Sequence, residues 1–184
     1  MGRHNGVSRG RKLRPAQAPP LAPSTWAGTP FYRGLSPKRR GEISELAFAL
    51  AAARHGFSVS KPFGDSDRYD LILDPSQSDP PQPYARPCLI RVQVKSSAKI
   101  VNGFYYLKPS RRVNGRAVTY KLTEIDFIAA YVIPEDSWYI FPLPHILGLG
   151  SLLISPKSRR RPGLYDCYHD AWHFLREPDG IEFA

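Results

Sequence analysis

Leu89-Ile90-Arg91-Val92-Gln93-Val94-Lys95-Ser96-Ser97 reads as a buried strand that carries two polar side chains, Gln93 and Lys95, two residues apart. Side chains alternate across a strand, so Gln93 and Lys95 share one face while Val92 and Val94 share the other. An amide and an ammonium held side by side on a rigid apolar strand need a reason. Upstream, Arg68-Tyr69-Asp70-Leu71-Ile72-Leu73 gives a second strand with a carboxylate near its start. Further upstream, Glu42 and Glu45 stand three apart at the opening of a helical segment. Together these groups suit a divalent metal beside a cationic side chain, the equipment of a metal-dependent nuclease.

The elements around this set follow from local patterns. Ile43, Leu46, Ala47, Leu50 and Ala53 recur at helical spacing over residues 42–54, and His55-Gly56 closes the segment. Alanines at 49, 51 and 52 keep helix propensity high. Phe57-Ser58-Val59-Ser60 alternates as a strand, Gly64-Asp65-Ser66-Asp67 is a turn, and residues 69–73 form the next strand. Residues 75–87 hold five prolines in thirteen positions and read as a loop that cannot join a sheet. After the Gln93 strand come an Asn102-Gly103 turn, the apolar Phe104-Tyr105-Tyr106-Leu107, and a basic turn over residues 111–116. Residues 125–133 are almost continuously apolar, as in a strand covered on both faces, and Trp138-Tyr139-Ile140-Phe141 adds a further strand. A short apolar segment after Pro144, the basic run 157–161 and a C-terminal helix over residues 168–175 complete the chain. The expected fold is α/β, a mixed sheet flanked by helices.

At 184 residues the chain suits one domain with a core, preceded by a tail. Residues 1–40 contain nine Lys and Arg, six prolines, five glycines and no acid, whereas residues 41–184 balance seventeen bases against sixteen acids. The net charge of +10 therefore belongs almost wholly to the tail. We expect residues 1–40 to be a disordered basic arm and residues 41–184 the folded domain. Such an arm suits contact with nucleic acid phosphates; a solubilising extension and a transit-peptide mimic are the other readings. Cys88 and Cys167 form no framework and fit no CxxC spacing, so a reducing compartment is expected. No apolar run is long enough for a membrane span and the N-terminus lacks an apolar signal core, which together suggest a cytoplasmic, nucleoid-associated protein.

The order of Gly41-Glu42-Ile43-Ser44-Glu45, Gly56-Phe57, Arg68-Tyr69-Asp70-Leu71, Gln93-Val94-Lys95, Ile125-Asp126-Phe127 and Trp138-Tyr139-Ile140 resembles the PD-(D/E)XK nuclease superfamily. It is most similar to the branch of group I intron-associated homing endonucleases, over residues 41–143. The superfamily usually has a carboxylate where this chain has Gln93, and the intron-nuclease branch resembles the chain in having glutamine there. The resemblance implies a core of a helix, a mixed sheet and a second helix, and an endonuclease cutting double-stranded DNA with Mg2+ or Mn2+. It implies Asp70 as direct metal ligand, Gln93 and the Val94 carbonyl as neutral oxygen donors, and Glu45 as a ligand or positioner of water at the metal. Glu42, on the adjoining helical face, would serve a second metal or support Glu45. Lys95 would sit by the attacking water and the scissile phosphate, stabilising the charge of the transition state.

Each residue alone has an ordinary explanation. Acids suit the first helical turn, an Asp beside a turn is often a structural acceptor, and a strand lysine can reach solvent along its stem. Their combination, in order and on the right elements, carries the reading. One alternative is a nucleic-acid-binding module that kept the fold and lost the chemistry. Arg111, Arg112, Arg116, Arg159, Arg160 and Arg161 would then position it on phosphates. Another is a nuclease of the Holliday-junction resolvase type. His169 and His173, four apart on a C-terminal helix, have a zinc-capable spacing but no obvious third ligand, and an aromatic docking helix is the plainer reading. No GxSxG elbow, phosphate-binding loop or GxGxxG motif is present. With one active centre per chain, cutting both strands calls for a homo-oligomer, a dimer or tetramer, or for sequential nicks. Tyr131, Trp138 and the C-terminal aromatics are candidates for an interface or for core.

Overall fold

The structure is a computed structural model in which residues 34–64, 66–77, 89–157 and 163–176 are described. Residues 1–33, most of the proline-rich segment with Cys88, and Arg159, Arg160 and Arg161 lie outside the described residues.

Helix α1 spans Pro37–Arg54 and so opens ahead of Gly41, where the folded domain was expected to begin. Ser36 caps it, its side chain accepting from the Arg39 amide at 3.2 Å, and Pro37 takes the first helical position, where its missing N–H costs nothing. Glu42 and Glu45 consequently lie beyond the first turn, and the helix dipole does not account for them. The buried stripe also differs from the expected one. Ser44, Phe48 and Ala52 face the sheet, with Ile43 and Ala47 of the expected stripe partly buried beside them, while Leu46 and Leu50 stay 65% and 53% exposed. The small residues at 44 and 52 let the helix approach closely and Phe48 fills the contact; the Ser44 hydroxyl is satisfied by donating to the Arg40 carbonyl at 2.7 Å.

Five strands form the main sheet: β1 (Ser58–Ser60), β2 (Leu71–Asp74), β3 (Ile90–Ser97), β8 (Phe127–Val132) and β9 (Ser137–Pro142), in the spatial order β1-β2-β3-β8-β9. Among the described strands only β3 and β8 pair in parallel, so the sheet is mixed as expected. The β3–β8 crossover carries β4 (Ile100–Val101), β5 (Phe104–Leu107), β6 (Ser110–Val113) and β7 (Arg116–Thr119). Past β9 come the one-turn helix α2 (Leu143–Ile146) and β10 (Leu152–Ile154).

Both faces of the sheet are covered, which is why every residue of β8 is buried. On one face Val92, Val94, Ala129 and Tyr131 pack against Phe48 of α1 and against Trp138 and Trp172. On the other, Ile128, Ala130 and Phe141 meet Leu107 of β5 and Leu152 of β10. The resemblance implied a second helix without assigning it a face. The cover on this far face is the three-stranded sheet β10-β5-β4 with α2. Tyr131 and Trp138 are core residues at 0% and 7% exposure, which removes them as an oligomer surface.

Residues 111–116, read as a basic turn, form most of an antiparallel hairpin of β6 and β7. Asn114 and Gly115 turn it with positive φ values of 49° and 79°, a combination suited to a two-residue hairpin loop. The C-terminal helix expected over residues 168–175 is two short 3-10 turns, Asp166–Tyr168 and Trp172–Leu175, separated by Asp170 at φ 47°. His169 and His173 therefore share no helical face, and the zinc reading loses its geometry. The aromatics dock this segment: Trp172 stacks on Phe48 with ring centroids 5.5 Å apart and on His55 at 4.3 Å. Among the described residues no helix is long and apolar enough to cross a membrane.

Candidate active site

The site forms where β2 parts from β3. Leu71 pairs with Val92, and the Asp70 amide still donates to the Val92 carbonyl at 2.9 Å. Strand geometry points the backbone groups of Val92 and Val94 toward the same neighbour, but the ladder has ended by Val94. The carboxylate of Asp70 replaces the missing strand, Oδ2 accepting from the Val94 amide at 2.7 Å. This leaves the Val94 carbonyl at the mouth of the gap, 3.4 Å from the Gln93 amide nitrogen. The sequence thus places an acidic residue, an unpaired stretch of strand edge and an amide side chain at one point.

Gln93 is 8% exposed and its Nε2 also donates to Asp70 Oδ2. Lys95, two residues on, is half-buried on the same face, with Nζ 5.4 Å from the centre of the Tyr120 ring. Glu45 reaches the gap from α1, on the opposite side of the sheet, and its Oε2 lies 2.6 Å from Lys61 Nζ. Glu42 lines the same cleft of about 570 Å3 as Glu45, Lys61 and Asp70, but it is held at the rim by Arg39 at 3.0 Å.

The electrostatics fit a place for a cation. Burial pushes the Asp70 carboxyl up to about 6, against the pull of the Val94 amide, and the Glu45 charge adds to the rise. Burial also lowers the Lys95 ammonium, while Asp70 and Glu45 oppose that fall. Tyr120 is raised by burial and then by Asp70, so its phenol stays protonated beneath Lys95. The donor set is two carboxylates, a carbonyl and an amide, all hard oxygen ligands suited to Mg2+ or Mn2+. A half-turn of the Gln93 amide exchanges Nε2 for Oε1 and completes the set. Among the described residues no group of three or more His, Cys, Asp or Glu is placed to hold a metal, so a cation at this gap would draw on the amide and carbonyl oxygens of β3 as well as on Asp70 and Glu45.

The structure therefore brings Glu45, Asp70, Gln93, Val94 and Lys95 together and leaves Glu42 at the margin. It adds Lys61 and Tyr120, which the sequence did not single out. Neither carries a local signal: Lys61 sits in Ser60-Lys61-Pro62 after β1, and Tyr120 closes β7 by a chain separation of 25 residues from Lys95. Of the arginines read as phosphate contacts, Arg111 and Arg112 line a groove that ends at Gln93, and Arg116 lies exposed on the return strand.

A sequence profile of the PD-(D/E)XK endonucleases matches residues 35–174, well over half of the chain. The solved structure of the bacterial homing endonuclease I-Ssp6803I superposes with a TM-score of 0.65 at 30% sequence identity. That alignment covers 79% of this chain and 96% of the other. The comparison with curated proteins gives no match.

Proposed function

Because the chain belongs to the PD-(D/E)XK endonuclease family, we propose that it hydrolyses phosphodiester bonds of double-stranded DNA with Mg2+ or Mn2+ at the gap between β2 and β3. The observation that carries this reading is the meeting of Asp70, Gln93, the Val94 carbonyl and Glu45 with Lys95 at one break in the sheet ladder. A bound divalent cation supplies Lewis-acid charge at the phosphate and makes water a better nucleophile near neutral pH. Asp70 and the amide and carbonyl oxygens of β3 hold that charge in place. Glu45 orients water from the α1 side. Lys95 offers a fixed positive charge to the phosphate oxygens, which gain negative charge as water attacks.

Supercoiled plasmid incubated with the purified full chain is expected to be nicked or linearised with magnesium and left intact with chelator. A four-way junction offered beside the linear duplex tests the resolvase alternative. The non-catalytic module draws support from one contact, the Gln93 amide nitrogen facing Asp70. Tight duplex binding without cleavage under any divalent metal would establish it. The described residues of one chain hold one such centre, so cleavage of both strands takes at least two copies or two successive nicks.

In the metal-free protein Lys61 supplies the positive charge at Glu45. Removing it leaves the carboxylates less compensated and more receptive to a cation. Lys61→Met is expected to raise Mg2+ or Mn2+ affinity roughly two- to fivefold by calorimetric titration, in keeping with the ~0.2–1 kcal/mol of a partly exposed ion pair. Weaker metal binding in the variant would show that Lys61 supports the site instead of competing for it.

A further inference from the structure

A second groove, about 470 Å3, runs beside the site between the segment at Asp67 and Arg68 and the β6–β7 hairpin. Gln93 lies at its inner end and Asn114 of the hairpin tip at its outer end. Asp67 lines both this groove and the cleft of Glu45 and Asp70, so the two form one path past the metal-binding residues. Three arginines, Arg68, Arg111 and Arg112, line the groove.

Two of them are organised by one acid. Glu124 Oε1 lies 3.2 Å from Arg111 Nη2 and 3.7 Å from Arg68 Nε, while Oε2 accepts from the Lys121 amide at 3.0 Å. The carboxylate is pinned by its own backbone and in turn brings together two guanidinium groups from segments far apart in sequence. Glu124 and Asp67 together set two negative charges against the three arginines, so the described lining keeps net positive charge. The Arg111 Nε is buried and has no acceptor among the described residues. Arg111 is held in place by Glu124 while its side chain keeps 21% exposure in an open polar groove, where the accessible end of the guanidinium can meet an anion.

Resting on the nuclease reading above, we propose that this groove seats a backbone phosphate of the cleaved strand next to the scissile one. Arg68 and Arg111 contact that phosphate, Arg112 closes over it from the hairpin, and Glu124 is the positioning residue that holds the pair ready. The groove thereby fixes how the strand is threaded through the site before any chemistry occurs.

The test measures binding of the full chain to a duplex of about 30 base pairs over a range of salt concentrations, with chelator present so that no cleavage intervenes. Each lost phosphate contact flattens the slope of log affinity against log salt by about 0.9. Arg68→Gln and Arg111→Gln are each expected to flatten it by about that amount, and Arg116→Gln, outside the groove, by much less. Glu124→Gln is decisive because it adds net positive charge. As a mere repelling acid, its loss would tighten DNA binding; as the positioner of the arginine pair, its loss weakens binding about three- to tenfold at constant salt. Arg112→Gln, at an exposed position, gives the same reading should a variant at Arg111 fail to fold, with thermal melts identifying such a failure. Unchanged slopes in the groove variants, or tighter binding by Glu124→Gln, overturn the seat while leaving the nuclease assignment standing. Absence of any binding or cleavage by the unmodified chain would instead overturn that assignment itself.

Discussion

Lys95→Ala is expected to lower the magnesium-dependent cleavage rate by about 10²–10³-fold while leaving duplex affinity within a few-fold of the unmodified chain. The argument is positional. Lys95 projects from β3 where that strand pairs with Ala130 of β8, and its stem lies in a half-buried site over the Tyr120 ring. A charge fixed there by the sheet does not have to be reorganised as the phosphate gains negative charge, and its surroundings screen it poorly. Duplex affinity is a sum over many phosphate contacts, so one ammonium matters little to it. Lys95→Met separates charge from packing: it keeps most of the buried stem and should lose as much activity as alanine. Single-turnover cleavage of a labelled duplex, read beside equilibrium binding, checks both. Activity within tenfold of the unmodified chain would remove Lys95 from the reaction.

Much of the candidate site's arrangement was legible because β-structure writes its alternation into the sequence. Gln93 and Lys95 against Val92 and Val94 determined which side chains share a face, and the structure places the two valines under α1 and the two polar groups on the opposite side. The continuous apolar run at residues 125–133 likewise gave the doubly covered strand β8. The helix was harder. Its leucines suggested a buried face that the fold rejects, because Ser44 and Ala52 allow a closer approach than leucine would and Phe48 fills the space with Ile43 and Ala47 packed beside it. Ser36-Pro37, a capping residue followed by the residue best suited to a first helical turn, was the signal for the true start.

What remained hidden was tertiary. Glu124 and Arg68 meet across 56 positions, and nothing local marks the acid as the anchor of two arginines. The same holds for Asp126, whose carboxylate takes Arg91 Nη2 at 2.7 Å and ties β3 to the start of β8. The four-residue spacing of His169 and His173 misled for the opposite reason. It presumes a continuous helix, and Asp170 in the left-handed region breaks the chain between them. Spacing arguments hold only as far as the element that carries them.

Asp70→Asn is expected to abolish metal-dependent cleavage and, in the same step, to stabilise the metal-free protein above about pH 6. The ordinary carboxyl value of 3.8 rises to about 6 in the folded chain, chiefly through burial and then through Glu45. Folded protein therefore holds this proton more tightly than the unfolded chain does. That contribution is fully present below about pH 4 and is lost as pH climbs through about 6, so the metal-free protein should weaken across this window. At about 1.36 kcal/mol per unit, and allowing for partial solvent screening, the ionised carboxyl costs about 1–3 kcal/mol at pH 7.5. Asparagine keeps an acceptor for the Val94 amide and carries no charge, so it should recover that amount as roughly 3–8 °C in melting temperature, with no gain at pH 4. Magnesium should reverse the ranking, protecting the unmodified chain by binding the native state and leaving the variant unmoved. Because a proton and the cation compete for one carboxylate, metal affinity should climb with pH up to about 6 and then level off. Melting curves of both proteins at pH 4 and 7.5, with and without magnesium, contain the whole comparison. A variant that is less stable than its parent at pH 7.5 in chelator would mean that Asp70 is needed to cap the open ladder at Val94, and that its place at the break in the sheet is structural before it is catalytic.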